Sequence, residues 1–303
     1  MENHVGDYGV EPMCRVLRIA PSSWHEHAVR KADPEKRPQR ARTDEVLSKK
    51  IRQVFNANFG VYGVRKIWRQ LTRQGEDAAR CAVARLMKTM GLQGIIRGKH
   101  MKTNISDKSA ASPCDLVKRQ FMAPKPNALW VSDFTPDQVR GRRYVHTWQG
   151  FAYVAFIIDT FARRIVGWKV SRNAHAGFVL DALEQALHAR RPAQANGLVH
   201  HSDRGSQYLS VKYTERLAEA GINPSVGSVG DSYDNALAET VNGLFKAEVI
   251  HRRKSWKTIE AVELATLQWV DWFNNRRLLE RSIPPAEAEA NYYAALESQL
   301  IAA

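Results

Sequence analysis

Apolar positions along this chain first change their period near Pro126. Before that point they recur at helical intervals. Met13–Ile19 (MCRVLRI) predicts a short helix, and Pro21-Ser22-Ser23 predicts a turn before another. Residues 29–43 hold two prolines, many charges and little to bury, which predicts a linker. Asp44 is placed to cap a helix that ends at Gly60. The next helix carries Val64, Ile67, Trp68 and Leu71 on one face and ends at Gly75. A third, roughly Ala79 to Met90, turns Val83, Leu86, Met87 and Met90 inward and Arg80, Arg85 and Lys88 outward. Helix, glycine-bearing turn and helix with exposed cations is a helix-turn-helix arrangement. Residues 94–126 return to glycine, lysine, serine and proline, a second basic linker suited to lie along phosphates.

Beyond Pro126 the period becomes two. LWVSDFT alternates as a strand does, GFAYVAFIID (Gly150 to Asp159) is a longer strand, and RRIVGWKVS (Arg163 to Ser171) is a third. The short turn at Thr160-Phe161-Ala162 predicts an antiparallel hairpin. A helix over Ala176–Ala189, a buried strand in GLVHHSD, a helix over Lys212–Gly221 and a strand at Asn223–Val226 follow. Then comes DSYDNALAETVNGLFKAEV, Asp231 to Val249. Asp231, Ser232 and Asp234 offer helix caps, and Leu237, Val241, Leu244, Phe245 and Val249 keep a helical period. Glu239 and Lys246 fall on nearly one line down this helix, flanked by Asn235 and Asn242. A solvated amphipathic helix and a helix laid over a charged substrate both fit that pattern. The apolar stretch Ile259–Asn274, with Trp269, Trp272 and Phe273, predicts one more packed helix. The sum is a mixed sheet of five strands with helices packed on it.

Composition is that of an ordinary soluble protein, 44% hydrophobic and 25% charged. No apolar run reaches the ~20 residues of a membrane helix, and the N-terminus has no secretory pattern. Cys14, Cys81 and Cys114 form neither a disulfide framework nor a zinc spacing, so a reducing, cytoplasmic compartment is expected. The net charge of +14 is uneven. Residues 1–120 hold 24 of the 45 lysines and arginines but 12 of the 31 acids, leaving the remainder near neutral. A basic module joined to a near-neutral body fits a nucleic-acid-binding arm on a catalytic or structural core.

Three carboxylates fall at strand or helix ends: Asp133, Asp203 in HHSDRGSQY, and Glu239. If the first and fourth strands are neighbours, the two aspartates are adjacent and the long helix brings Glu239 over them. Such a cluster cannot stay ionised without cations. Two divalent ions about 4 Å apart would resolve this and serve phosphoryl transfer. All-oxygen ligands select Mg²⁺ or Mn²⁺ over zinc. Asp159 also ends a strand, but before a turn, where such side chains bond the backbone. His200 and His201 are either ligands or, as the preferred reading, one packed and one facing solvent or substrate. Arg204 and Gln207 either touch phosphate or cap the next helix, and Asn235 either orients substrate or caps its turn.

The stretches LWVSDFT, IIDTFARRIVGW, HHSDRGSQY, GSVGDSYDNALAETVNGLFKAE and WVDWFNNRR with IPPAEAE carry a resemblance. The chain resembles DDE transposases of the retroviral-integrase superfamily, above all the second-frame (OrfB-type) subunit of two-frame insertion-sequence transposases. Thirty-five residues separate Asp203 from Glu239, the spacing by which that superfamily is known. The resemblance implies a ribonuclease-H-like core in which Asp133, Asp203 and Glu239 hold two Mg²⁺ (or Mn²⁺) ions. It implies cleavage and strand transfer at the ends of an insertion sequence, on terminal inverted repeats and target DNA. Lys246 matches its DNA-contacting basic position, and YGVRKIWRQL its helix-turn-helix. It also implies a homo-oligomer on DNA, nucleoid-associated in the cytoplasm, and an upstream-frame (OrfA-type) partner or fusion. The expected boundaries are a helical lead-in and linker over 1–43, a helix-turn-helix region over 44–100, a basic linker over 101–126 and a catalytic core with a C-terminal helix over 127–295. DNA contacts are expected from Lys246, Asn235, Arg204, Arg80, Arg85 and Lys88. The sequence departs from the family between Thr135 and Tyr144, where the eight residues Pro136 to Arg143 interrupt a strand. It also looks short between Leu279 and Ile283. An inactive DNA-binding derivative and a nuclease of the same fold are the alternatives.

Overall fold

In a computed structural model of the chain, the helical periods ahead of Gly91 become six helices. These are α1 (Val5–Tyr8), α2 (Val10–Leu17), α3 (Pro21–Ala32), α4 (Gln39–Ala57), α5 (Val64–Arg73) and α6 (Arg80–Thr89). The structure describes residues 4–96, 117, 122–134, 145–148, 150–191, 197–202, 208, 210–226, 235–253, 255–279 and 282–302. The chain divides into two units, Met1–Gly94 and Ile95–Ala303.

In the first unit α4, α5 and α6 close on Ile51, Val54, Ile67, Leu71, Val83, Leu86 and Met87, all buried. Gly75 ends α5 at φ +81°, a conformation that a Cβ would strain. Trp68 Nε1 donates to the Ala78 carbonyl at 2.9 Å and pins the turn into α6. The stretch 29–43, expected as a linker, instead holds the end of α3, a 3₁₀ turn (Pro34–Lys36) and the start of α4. Its charges satisfy one another across the turn, Arg42 with Glu35 at 2.8 Å and Arg37 with Glu45 at 2.9 Å. Pro38 sets the entry to α4, so the helix starts ahead of Asp44, which caps nothing and pairs with Arg85 at 2.7 Å.

The second unit runs β1 (Leu129–Phe134), β2 (Val145–Thr147), β3 (Gly150–Asp159), β4 (Arg164–Ser171), α7 (Ala176–Arg190), β5 (Val199–Ser202), α8 (Val211–Glu219), β6 (Asn223–Val226), α9 (Ala236–Phe245), α10 (Ile259–Asn275) and α11 (Pro285–Ala302). A π turn, Lys246–Ile250, follows α9 directly. β1 lies between antiparallel β3 and parallel β5; β6 extends the parallel side and β4 the antiparallel side. This is the mixed sheet expected, with the short β2 added along β3. Both faces are covered, which is why β3 reads as an unbroken apolar run rather than an alternation. Tyr153, Ala155 and Ile157 share a core with Trp130 and with Phe178, Val179, Ala182, Leu183 and Ala186 of α7. Gly167 on β4 meets α7 so closely that a Cβ there would sit 2.2 Å from the Ala182 carbonyl oxygen. On the other face Phe156 packs edge-on to Phe245 of α9, with ring centroids 5.3 Å apart, and Phe245 packs on Trp269 of α10 at 5.2 Å.

Register measures the expected insertion. β1 sets Trp130 against Asp159 and Phe134 against Ala155. A strand continuing in that register would reach Ala152 at position 137, but Val145 pairs there, eight residues late. That is the count from Pro136 to Arg143, a segment outside the described residues. The basic linker over 101–126 and the caps at Asp231, Ser232 and Asp234 also fall largely or wholly outside them. Helix α11 had no counterpart in the sequence pattern. Its Glu289 is buried and accepts from both Arg164 and Arg190. Among the described residues no helix is long and apolar enough to cross a membrane.

Candidate active site

Side-chain parity decides which groups meet at the end of β1. Asp133 is the register partner of Phe156, so both face the layer of α9 and α10. Trp130 faces the opposite layer. Asp133 is buried at 8% exposure. Asn242 of α9 donates from Nδ2 to its Oδ2 at 2.8 Å. Two turns earlier, Asn235 donates from Nδ2 to the Ser132 carbonyl at 2.8 Å. These two amides fix α9 across the strand end. Positions 235, 239 and 242 share one helical face, so Glu239 lies between the two anchors on the side turned to β1. Glu239 is half-buried.

On the other side of β1, Ser132 pairs with Ser202, the last described residue of β5. Asp203, Arg204 and Gln207 lie outside the described residues. Among those described, no three acids, histidines or cysteines come together as a metal site. The donors that are described suit a hard divalent cation: two carboxylates, and the buried Asn242 Oδ1, which has no hydrogen-bond partner among the described residues. Lys246 sits half-buried where α9 passes into the π turn.

Neither histidine reaches solvent. His200 and His201 are 1% and 0% exposed, which corrects the expectation that one faces outward. His200 lies on the Trp130 face, where its Nε2 and the Tyr213 hydroxyl share a hydrogen bond of 3.1 Å. Burial, and then the charge of His201, push its pKa down to about 3, so the ring is neutral. His201 bonds through Nδ1 to Ser225 Oγ at 2.9 Å. Both partners come from other elements, α8 and β6, and no local pattern announces them. Asp159 does bond the backbone: it accepts from Asn127 N at 2.7 Å and Phe161 N at 3.0 Å. Burial nonetheless holds its carboxyl above the ordinary value, against the pull of those two donors. Trp269, Trp272 and Phe273 are buried, as expected of core.

A further anchor escaped the sequence pattern. Glu248 lies in the π turn, buried, accepting from Trp269 Nε1 at 3.0 Å and from the Arg277 guanidinium. Arg277 is stacked 5.2 Å from Trp272 and 5.4 Å from Phe273, ring centroids. A charge inside the apolar run KAEVI, with an arginine just after the last helix, was the available signal.

In the first unit Arg80 and Lys88 are exposed on α6. Arg85 is exposed but engaged: its guanidinium bonds Asp44 and holds that carboxyl below the usual carboxylate range.

Residues 123–232 and 220–278 match models of the integrase core domain, and residues 41–100 match the HTH-like domain. The chain is 58% identical over 298 residues to the transposase for insertion sequence element IS629 of Shigella sonnei, covering 98% of this chain and 96% of that protein. It is 53% identical over 283 residues to a putative transposase for IS986/IS6110 of Mycobacterium tuberculosis, covering 92% and 97%. Among solved structures it is similar to the HTLV-2 integrase catalytic core domain in complex with magnesium, at 16% identity and TM-score 0.41, over 55% of this chain and 98% of that one.

Proposed function

The chain belongs to the insertion-sequence transposases that carry an integrase core domain, and from that premise we propose that it cuts and joins DNA at the ends of its own element, with Asp133, Asp203 and Glu239 as its catalytic carboxylates. The observation that carries this reading is the pair of amide anchors, Asn235 on Ser132 and Asn242 on Asp133, which hold the helix that carries Glu239 across the end of β1. Asp203 follows Ser202 directly, as Asp133 follows Ser132, and those two serines are register partners on adjacent parallel strands. One more residue of strand at that register would face Asp203 the same way as Asp133. The three carboxylates would hold two Mg²⁺ or Mn²⁺ ions, which when bound supply activation of the attacking oxygen and stabilisation of the leaving oxygen.

The chain's own residues then have distinct tasks. Asn242 holds Asp133 by one oxygen and so fixes that carboxylate at the strand end. Lys246, in line with Glu239, neutralises a phosphate, as do Arg204 and the outward cations Arg80 and Lys88 on α6. Arg85 joins them only by exchanging Asp44 for a phosphate. Asn235 is committed to the Ser132 carbonyl and acts on DNA through its position at the mouth of the site. In the first reaction a water oxygen bonds to phosphorus and the 3′ oxygen leaves, taking a proton. In the second that 3′-OH attacks a target phosphodiester and releases a target 3′-OH. Each step breaks one P–O bond and forms one, so neither a nucleotide triphosphate nor a covalent protein intermediate is required. Residues 44–100 would hold the terminal repeats, 127–295 would perform the chemistry, and copies of the chain would assemble on DNA in the cytoplasm, with an upstream-frame product as partner or fusion.

Labelled terminal-repeat DNA with Mg²⁺ tests this. The expected result is cleaved ends and joined products. Glu239→Gln should lower both by at least about three orders of magnitude while leaving duplex affinity unchanged. Binding without any cleavage would overturn it in favour of an inactive DNA-binding derivative, and cleavage without joining in favour of a nuclease.

A further inference from the structure

We infer that the tip of the β2–β3 hairpin, together with the loop that follows the π turn, is a stacking site for an unpaired base of DNA. This rests on the DNA-recombination reading above, but on different residues.

Trp148 stands at the hairpin tip with 73% of its surface exposed, and Phe151 beside it is 44% exposed. An indole placed only for stability would be buried, as Trp130, Trp256, Trp269 and Trp272 of this unit are. The tip is nevertheless braced. Thr147 pairs with Gly150 and its hydroxyl donates to the Gly150 carbonyl at 2.7 Å. Thr147 also bridges to Trp256 in parallel, and Trp148 N donates to the Trp256 carbonyl at 3.0 Å. The exposed ring therefore sits on a fixed backbone rather than on a free loop.

Cations lie on the neighbouring loop. Lys257 Nζ lies 5.8 Å from the Trp148 ring centroid, and the Arg253 guanidinium lies 4.5 Å from that of the buried Trp256. Arg252, Arg253 and Lys257 are all exposed. No aspartate or glutamate occurs in residues 145–158 or 249–259. The nearest acids in sequence are engaged, Glu248 with Arg277 and Glu260 with Arg172. An exposed ring with a lysine beside it, on two segments that carry no acidic residue, is complementary to a polyanion that offers aromatic faces. Paired bases present only edges in the grooves, whereas unpaired bases present faces. The occupant is therefore a single-stranded or frayed segment of DNA rather than intact duplex.

The test uses the full chain in EDTA, so that no chemistry intervenes. Its probes are labelled oligothymidylate, a blunt duplex, and the same duplex with a short unpaired tail. Trp148→Ala should weaken the oligothymidylate and the tailed duplex by about five- to a hundredfold and the blunt duplex by less than about twofold. Trp148→Phe should retain most of the affinity. Arg253→Ala with Lys257→Ala should lower the salt slope by roughly one to two. Because Trp148 is exposed, thermal unfolding of these variants should match the parent. Unchanged affinity for the unpaired probes, or an equal loss on blunt duplex, would overturn the inference. So would a changed sedimentation coefficient without DNA, which would make the ring a protein contact. Failed strand transfer with these affinities intact would sink only the catalytic reading.

Discussion

Asn242 shows what one buried side chain contributes at this site. An unpaired buried carboxylate is costly, and a single amide donor both offsets that cost and fixes the rotamer of Asp133. β5 also carries buried polar side chains, and there His200 carries a pH dependence. Its folded pKa of about 3 lies below the ordinary 6.5. A depressed folded value means that the neutral ring contributes stability above pH 6.5, lost progressively as pH falls toward 3. Urea unfolding should therefore show stability dropping between those limits by up to about 1.4 kcal/mol per pH unit from this one proton. His200→Gln keeps a hydrogen-bonding group for Tyr213 but does not titrate, so its stability should fall less steeply over the same range. Equal slopes would mean that His200 is not the group that charges. The burial of both histidines was not legible in the sequence, because Tyr213 and Ser225 reach them from other elements.

The junction of α9 with its π turn is where helix geometry serves the site. π turns are rare and insert one residue into the helical register, so they need an outside anchor. Glu248 supplies it through Trp269 and Arg277. Glu248→Ala leaves a buried guanidinium unpaired and should cost about 3–5 kcal/mol in urea unfolding followed by tryptophan fluorescence. Glu248→Met with Arg277→Met removes both charges and should recover most of that loss. A double variant no more stable than the single one would show that the ion pair itself, rather than the penalty of an orphaned charge, holds the turn. Long periodic elements such as β3, α7 and α10 were legible because their apolar positions repeat over many residues. β2 was not, since three residues carry no period and its pairing with β3 is a tertiary event. The helices inside 29–43 were hidden by charges that neutralise one another across the turn.

At the scale of the whole molecule, the sheet brings together residues far apart in the chain. β1 is central, and its neighbours and covering helix are contributed from both later halves of the core. The order and parity of these elements were readable from periodicity and from the family resemblance. The extent of the insertion became measurable only once two ladders on β3 could be compared. Pro136 to Arg143 begin three positions after Asp133, yet Asp133 keeps its register with Phe156 and its bond from Asn242. The strand end that carries the first carboxylate is therefore held by its own contacts. The convergence of Asp133, Asp203 and Glu239 on common ions is the central claim. A crystal of the full chain grown with Mn²⁺ and terminal-repeat DNA, with anomalous scattering recorded at the manganese edge, addresses it directly. Two anomalous peaks about 4 Å apart, bounded by carboxylate oxygens of all three residues, are expected. Manganese bound elsewhere, or Asp203 turned away from Asp133 with the sheet intact, would refute the shared site.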